Sequence, residues 1–551
     1  MPIIEINKKD LEKILNKKFD ESQLEDLMQY TKAGIEKIEG DIITLEIKDS
    51  NRPDMLSVEG IGRELLGVTG KERGLAIYKA AKSNYEVIID KKVSKVRPEI
   101  VCAVVKDLKL DDYGIKQLIQ LQEKLCEGFG RKRKDAAIGI YDFDKIKWPV
   151  RYTTFKSDEI KFVPLEMSQA LSPRQILQMN EKGKDYASLL EGIEDYPFII
   201  DSEKNVLSMP PIINSDYTGK VTEHTKNVFV EVTGFNFDRI SQTLNIILAA
   251  LADRKGRIYS VSLKNKCITP VFRNKKKNIA LSDISSRLGI ELKPAEIVKI
   301  LEKARYLAKI KKDKVEVEIP FYRTDVIHAV DIIEDIAIAY GYQKIPAEEP
   351  MIATIGSLLP ETLKTEKIAK ILVGLGLNEL ATFNMTNKED LFKKMNLNTN
   401  GIIEIENPVS LTYSCLRNAL IPSLMAVFSQ NTTSDYPQKI FEIGQAVSVN
   451  EKSENKADEK TKLAIAVSHS SAGFTEIKQV IDYLMASLKL KFKINSTQNS
   501  SFIDGRTAEL IINNKPVGIF GEIHPKVLES WNLEMPVAAA EIDLTELMKL
   551  F

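Results

Sequence analysis

The stretch FYRTDVIHAVDIIEDIAIAYGY, Phe321 to Tyr342, places three carboxylates, Asp331, Glu334 and Asp335, at i, i+3 and i+4. At 100° per residue these fall within one arc of a helix. Val326, Val330, Ile333, Ala337 and Tyr340 recur at steps of three and four on the other side, so the spacing predicts an amphipathic helix with its apolar stripe turned inward. Thr324 and Asp325 stand where an N-cap belongs. No Lys or Arg occurs between Asp325 and Gln343, although the chain has 78 of them in 551 residues. Ile327 and Ile338 flank the acidic face, which suggests partial cover. Three readings are open: an acidic face bathed in water, a face neutralised by a partner chain, or oxygen ligands for Mg²⁺, with Asp325 one turn earlier as a fourth.

Immediately before this stretch the sequence predicts two short helices, Ser282 to Leu288 and Pro294 to Ala304. A hairpin-like run, YLAKIKKDKVEVEIP, follows them, and KKKN (275–278) precedes them. Two short helices and a basic β-ribbon outline a winged helix-turn-helix. That outline serves nucleic-acid binding and protein contacts alike.

The totals bound the rest. A chain of 551 residues exceeds one hydrophobic core and implies several domains. Its 43% hydrophobic and 28% charged residues are ordinary for a soluble globular protein. The 78 basic residues balance 78 acidic ones, so any nucleic-acid contact must come from a local patch. Cys102, Cys126, Cys267 and Cys415 form no CxxC pair, which argues against a zinc site and a disulfide framework and fits a reducing cytoplasm. The four histidines show no HxxxH or HExxH spacing. MPIIEINKKDLEK lacks a signal-peptide core, and Leu244 to Ala252, the longest apolar run, is too short to span a bilayer, so no membrane association is expected.

Towards the N-terminus, residues 1–85 read as an α/β module. PIIEI is strand-like, helices follow at Lys8 to Leu15 and near Glu21 to Tyr30, and IEKIEGDIITLEIK forms a hairpin. DSNRPDMLSVEGIGRELLGVTG is a turn-then-helix unit with Pro53 and Asp54 in its first turn. Residues 86–265 read as mixed α/β, with a helix at Ile115 to Cys126 and a basic run, Gly130 to Lys134, that suits either a phosphate backbone or a solvated loop. Between the later strand runs, Pro-Pro, Asn-Ser and Thr-Gly mark loops. Ser208, Asn214, Ser215 and Glu231 there are candidates for a small-molecule pocket, with local turn chemistry as the other reading. Residues 266–346 hold the winged-helix-like domain and its acidic helix. Residues 352–551 read as α+β. In them Pro360 to Leu375 is a helix, NPVSLTYSCLRNALIPSLMAVFSQN runs strand-like into a helix, KIFEIGQAV is a strand, and Asn450 to Lys462 is a charged, mobile loop.

NRPDMLSVEGIGRELLG, FYRTDVIHAVDIIEDIAIAYGY, SCLRNALIPSL, KIFEIGQAV and FGEIHPKVLESW, in this order and at this spacing, resemble the β subunits of archaeal and eukaryotic phenylalanyl-tRNA synthetases over essentially the whole chain. The resemblance implies an α+β multidomain protein with an N-terminal module, an editing domain, a winged-helix-like domain and a class II synthetase-like antiparallel sheet domain. It implies an α subunit as partner in an α₂β₂ heterotetramer, tRNA(Phe) as substrate, ATP-driven attachment of phenylalanine, and a cytoplasmic location. It also carries a Mg²⁺ site, shared with the α subunit, onto Asp325, Asp331, Glu334 and Asp335.

A class II catalytic site needs one Arg for the α-phosphate of ATP and another for the γ-phosphate. Arg417 lies near the first position but inside the leading helix-like unit, and VGIFGEIHP offers none for the second. This domain is therefore expected to buttress an active partner instead of binding ATP. The 86–265 segment resembles the family's editing domain, which hydrolyses tyrosine mischarged onto the tRNA. There the resemblance assigns the pocket to Ser208, Asn214 and Glu231, with Glu231 accepting from the tyrosine hydroxyl. A pocket shaped for phenylalanine cannot strongly reject an isostere that adds a hydroxyl, so a second pocket must demand it. The sequence departs from the bacterial pattern in having no oligonucleotide-binding-like insertion near the N-terminus and no appended C-terminal anticodon module. The alternative function is a nucleic-acid-binding scaffold without catalysis; a Mg²⁺-dependent phosphohydrolase would need a phosphate loop that is not seen.

Overall fold

The computed structural model describes residues 1–48, 51–264 and 266–551. Asp49 and Ser50, which open the DSNRPD turn of the sequence reading, lie outside the described residues. Two compact units divide the chain, Met1–Glu349 and Pro350–Phe551.

The first unit begins with strand Ile3–Asn7, helices Lys8–Leu15 and Glu21–Met28, and the hairpin Ala33–Glu39/Ile42–Ile47, which close into a three-stranded antiparallel sheet. Asn7 and Asp20 accept hydrogen bonds from backbone N–H groups in the first turns of these helices, which is why each starts where it does. Pro53 and Asp54 sit in a separate 3₁₀ turn, and helix Val58–Val68 begins at its own cap, Ser57. This module shares one hydrophobic core with the segment after it: Ile61 and Leu65 belong to the same cluster as Val101, Val230 and Leu244.

The largest sheet has ten strands. Strand Val228–Gly234 lies near one edge, antiparallel to Glu99–Lys106 on one side and to Ala136–Asp142 on the other. Alternation along it separates two environments. Val228, Val230 and Val232 pack in the core that holds helix Phe237–Asp253, whereas Phe229 packs on the opposite face with Tyr141 and Tyr152. Glu231, an odd-numbered position like Phe229, is thereby carried to the second face.

The third sheet orders strands Lys275–Ala280, Lys314–Ile319 and Leu307–Lys311, with helices Leu281–Leu288, Pro294–Lys303 and Ala329–Tyr340 packed on its inner face. The two short helices and the ribbon predicted from sequence are present. The acidic helix differs from its prediction in two ways. It starts at Ala329 with His328 as N-cap, not at Thr324 or Asp325. Of the expected stripe Val326, Ile333 and Ala337 are buried, but Ile332, Asp335, Ile336, Ile338 and Ala339 are buried as well, so cover extends well beyond one stripe, while Val330 is 41% exposed and Ile327 is 65% exposed.

The second unit is built on a seven-stranded sheet, antiparallel except that Asn378–Leu380 runs parallel to Gln438–Val449 at one edge. Leu463 and Ile465 of the central strand Ala457–Ser468 face helices Pro360–Gly374 and Phe474–Ser487, and Ala464 and Ala466 face helix Ile421–Gln430. The charged run Asn450 to Lys462 is not all loop: from Ala457 onward it is strand, paired in register from Val449↔Ala457 to Gly444↔Lys462. Its acids and lysines alternate along a pleat that extends past the core, so the pattern reads as loop while the backbone hydrogen bonds make strand. NPVSLTYSCL is likewise mostly irregular, with only Cys415–Leu416 in a strand. Among the described residues no helix is long and apolar enough to cross a membrane.

Candidate functional site

A cavity of about 600 Å³ opens beside strand Ala136–Asp142. Its wall is mixed: Ile138, Ile140, Leu165, Met167 and Ile212 line it together with charged residues such as Glu123, Arg133, Glu166 and Lys182, and Ser208, Asn214 and Glu231 are among its polar side chains. These are the three residues singled out from sequence. Sheet pairing brings them together, because Asn214 stands opposite Ser208 in the ladder while Glu231 stands opposite Gly139 in another.

Glu231 is buried, and its two oxygens differ. Oε1 lies 2.9 Å from the Tyr141 hydroxyl, whereas Oε2 has no hydrogen-bond partner. Tyr141 is also 2.7 Å from Ser208 Oγ. A phenol has one proton, so the arrangement that satisfies all three groups has Ser208 donating to Tyr141 and Tyr141 donating to Glu231. Burial pushes the Glu231 carboxyl up to about 8, against the Tyr141 hydrogen bond and the Arg97 charge, which pull it down. Burial and the neighbouring carboxyl raise Tyr141 as well, which keeps its donor proton in place. At neutral pH the pocket thus holds a protonated carboxyl whose O–H sits on the oxygen left without a protein partner. Such a group recognises a hydroxyl.

Gly139 makes the arrangement possible. A Cβ there would stand 2.1 Å from Tyr141 Oη and 2.4 Å from Glu231 Oε1, inside van der Waals contact with both. Asn214 is half-buried and donates to the Ile140 carbonyl at 3.3 Å, which leaves its amide oxygen to the cavity side. Ser215 does not line the cavity. It caps the short helix Asp216–Gly219 and bonds Thr218, the turn chemistry that was the other reading for this segment.

Sequence reasoning missed Tyr141, Gly139 and Arg133 as parts of this site. The basic run Gly130 to Lys134 neither dangles in solvent nor stands wholly available to a phosphate backbone. Arg131, Lys132 and Arg133 have φ of 50°, 53° and 66°, a left-handed turn that costs roughly 1–2 kcal/mol per residue. The buried guanidinium of Arg97 offsets that cost by donating to the carbonyls of Arg133 (3.0 Å) and Lys134 (3.1 Å). Turned inward, Arg133 donates to the carbonyls of Pro211 (3.2 Å) and Ile212 (2.7 Å) and lies 4.1 Å from the Tyr186 ring, bracing the Pro-Pro loop at the cavity rim. No local pattern announces these partnerships, which depend on strands 90 residues apart in the case of Tyr141 and Glu231.

The acidic helix behaves differently from its prediction. The four carboxylates expected to gather around Mg²⁺ are each engaged by the chain itself. Arg323, two residues before the cation-free interval, grips Asp325 with two hydrogen bonds of 2.8 and 2.6 Å and reaches Asp335 at 2.6 Å. Asp335 also accepts from Tyr306. Glu334 pairs with Lys32 at 3.0 Å. Asp331 accepts from the backbone N–H groups of Ile327 and His328 at the helix start. Burial opposes ionisation of Asp325, but Arg323 outweighs it and holds that carboxyl at about 2. Among the described residues no group of three or more His, Cys, Asp or Glu side chains is arranged to hold a metal ion. The residues present therefore do not fit Mg²⁺ within this chain. The premise that the acids lack counter-charges in their own polypeptide fails because the neutralising groups come from outside the helix.

In the second unit Arg417 is also internal. It is 2% exposed, pairs with Glu442 at 2.8 Å and donates to Thr382 Oγ1 and to the Gln445 carbonyl, so it is not free to clamp a phosphate. Its place is the turn between Cys415–Leu416 and helix Ile421–Gln430, not a helix.

Comparison with known families matches residues 115–248 to the B3/4 domain, 277–342 to the tRNA synthetase B5 domain, and 345–544 to the phenylalanyl tRNA synthetase beta chain CLM domain. The chain is 43% identical to the phenylalanine–tRNA ligase beta subunit of Pyrococcus horikoshii over all of both chains. It is 38% identical to that of Methanocaldococcus jannaschii over 99% of this chain and 100% of the relative. Among solved structures, an N-terminal fragment of the Pyrococcus horikoshii phenylalanyl-tRNA synthetase beta subunit superposes with a TM-score of 0.60 at 42% identity, covering 62% of this chain and all of the fragment.

Proposed function

The chain belongs to the phenylalanine–tRNA ligase β-subunit family, and from that membership we propose how its parts divide the work. It serves as the β subunit of an aminoacyl-tRNA synthetase of protein biosynthesis, with its B3/4 region implicated in editing and its B5 region in tRNA binding. A β subunit implies an α partner. In our reading the assembly is an α₂β₂ heterotetramer in the cytoplasm, and phenylalanine is activated by ATP on the α subunit. The second unit has the class II type of sheet without its ATP chemistry, and the engagement of Arg417 by Glu442 supports a buttressing role.

The cavity beside Glu231 is the site at which tyrosine, mischarged onto tRNA(Phe), is recognised and hydrolysed. The observation that carries this reading is the unpartnered Oε2 of a buried carboxyl that lines a cavity. A phenol completes that hydrogen bond; a phenylalanine ring leaves it unmade, and discrimination by an unmade buried hydrogen bond is large. Ser208 holds Tyr141, Tyr141 holds Glu231, and Asn214, the ladder neighbour of Ser208, orients the bound residue. No histidine lines the cavity, so hydrolysis rests on positioning of water by backbone and substrate groups. A Mg²⁺ site shared with the α partner at Asp325, Asp331, Glu334 and Asp335 would require that partner to displace Arg323 and Lys32.

The test is deacylation of Tyr-tRNA(Phe) by the α–β complex. Glu231→Ala and Asn214→Ala should each slow it by about 5- to 150-fold, as expected for a lost hydrogen bond in a buried site (~1–3 kcal/mol), while Phe-tRNA(Phe) formation continues. Deacylation at the wild-type rate in both variants would remove these residues from the pocket.

A further inference from the structure

The chain has no net charge, yet its basic residues are not evenly spread. Strand Lys275–Ala280 opens with three lysines, and the hairpin that follows the two short helices adds Lys309, Lys311, Lys312 and Lys314. Against these seven stand Asp313, Glu316 and Glu318. In the two helices of the same domain the charges cancel: Arg287, Lys299 and Lys303 are matched by Asp283, Glu296 and Glu302.

Register decides where the lysines point. Val315, Val317, Ile319, Ile279 and Ala308 are buried on the inner face of the three-stranded sheet. The alternate positions form two cross-strand rows on the outer face, Asn278 beside Glu316 beside Lys309, and Ala280 beside Lys314 beside Lys311. Lys276 joins the same face opposite Glu318. Two of these lysines are engaged, Lys311 with Glu316 at 2.6 Å and Lys276 with Glu318 at 3.6 Å, so the two glutamates are already neutralised. Lys309, Lys312 and Lys314 are exposed and make no ion pair among the described residues. Cations at spacings of about 6.8 Å along a strand and about 4.8 Å between strands form a flat array. Ile310, 39% exposed, sits at the hairpin edge.

We propose that the outer face of this sheet and its hairpin, and not the helix pair, is the surface through which the subunit holds the phosphate backbone of tRNA. The proposal rests on the tRNA-ligase reading above and adds to it the element that makes the contact and its kind. Lysine ammonium groups on a sheet present point charges without a fixed donor geometry, so the contact is electrostatic and blind to base sequence. It follows the counterion-release rule, in which each neutralised phosphate adds about 0.7–0.9 to the salt slope of log K.

The experiment uses the α–β complex and unacylated tRNA(Phe), with Kd measured across a salt series. The triple variant Lys309→Ala, Lys312→Ala, Lys314→Ala should lower the slope by about 2–3 and weaken binding of tRNA(Phe) and of an unrelated tRNA to the same degree. The helix variant Lys293→Ala, Lys299→Ala should leave the slope within one unit of wild type. An unchanged slope in the triple variant, or an equal loss in the helix variant, overturns the proposal. Loss of the α subunit on purification of the triple variant, with the slope of the remaining complex unchanged, would make the face a protein interface and overturn it too. A wild-type complex that binds no tRNA would instead remove the reading on which the proposal rests.

Discussion

Glu231 carries a proton in the folded chain that the unfolded chain has released. With the folded carboxyl at about 8 and an ordinary glutamate at 4.5, the native state binds more protons between those values. This contribution to stability is therefore full below about pH 4.5 and is lost as pH rises to about 8, with a slope of up to about 1.4 kcal/mol per pH unit. Glu231→Gln keeps the shape and removes the titration. Denaturant midpoints of the variant should fall less than those of the wild type between pH 6 and pH 8; parallel profiles would mean that the carboxyl does not titrate in that window. Sequence placed Ser208, Asn214 and Glu231 in one pocket through family likeness. It gave no hint that Tyr141 and Gly139 complete the site, since that depends on which strand lies beside which.

At the scale of elements, the acidic helix shows that carboxylates sharing a face need not lack counter-charges in their own chain. Its three carboxylates do share a helical face, but the face is served by Arg323, Tyr306 and Lys32, which arrive from a turn, the connection before strand Leu307–Lys311 and another module. Asp331 works as a cap, so Asp331→Ala should cost about 1 kcal/mol of stability. The loss, read as a shift in the urea midpoint, should be the same with and without Mg²⁺. A loss that appears only with Mg²⁺ would return an ion to this helix. The winged-helix outline was readable because helices and strands there are short, amphipathic and punctuated. Its charged outer face emerged only when the register separated lysines that face solvent from residues that face the core.

For the whole molecule, the two units have separate hydrophobic cores: Ile279, Val101 and Phe198 belong to clusters confined to Met1–Glu349, and Leu463 and Leu424 to clusters confined to Pro350–Phe551. The N-terminal unit expressed alone should therefore fold and unfold cooperatively, retaining the Glu231 cavity. Circular dichroism and thermal denaturation of the Met1–Glu349 fragment check this. A fragment without a melting transition would show that its cores depend on the second unit. The expected module of residues 1–85 shares its core with the strands and helix that follow, a continuity invisible in sequence because both segments are equally apolar and only packing joins them.

Local order in this protein came from the chain alone: helix caps, hairpin turns, the short-helix and ribbon succession, and the absence of cysteine or histidine metal spacing are near-neighbour properties. Charge partners belonged to the tertiary structure. Whether a carboxylate is lone or paired depends on groups brought within about 3 Å by packing, and such groups lie 2 residues away for Asp325, 29 for the Asp335–Tyr306 pair and 90 for Glu231. A linear window can see the first distance at most, and burial, which raises one carboxyl while Arg323 lowers another, appears only after the chain has closed around both.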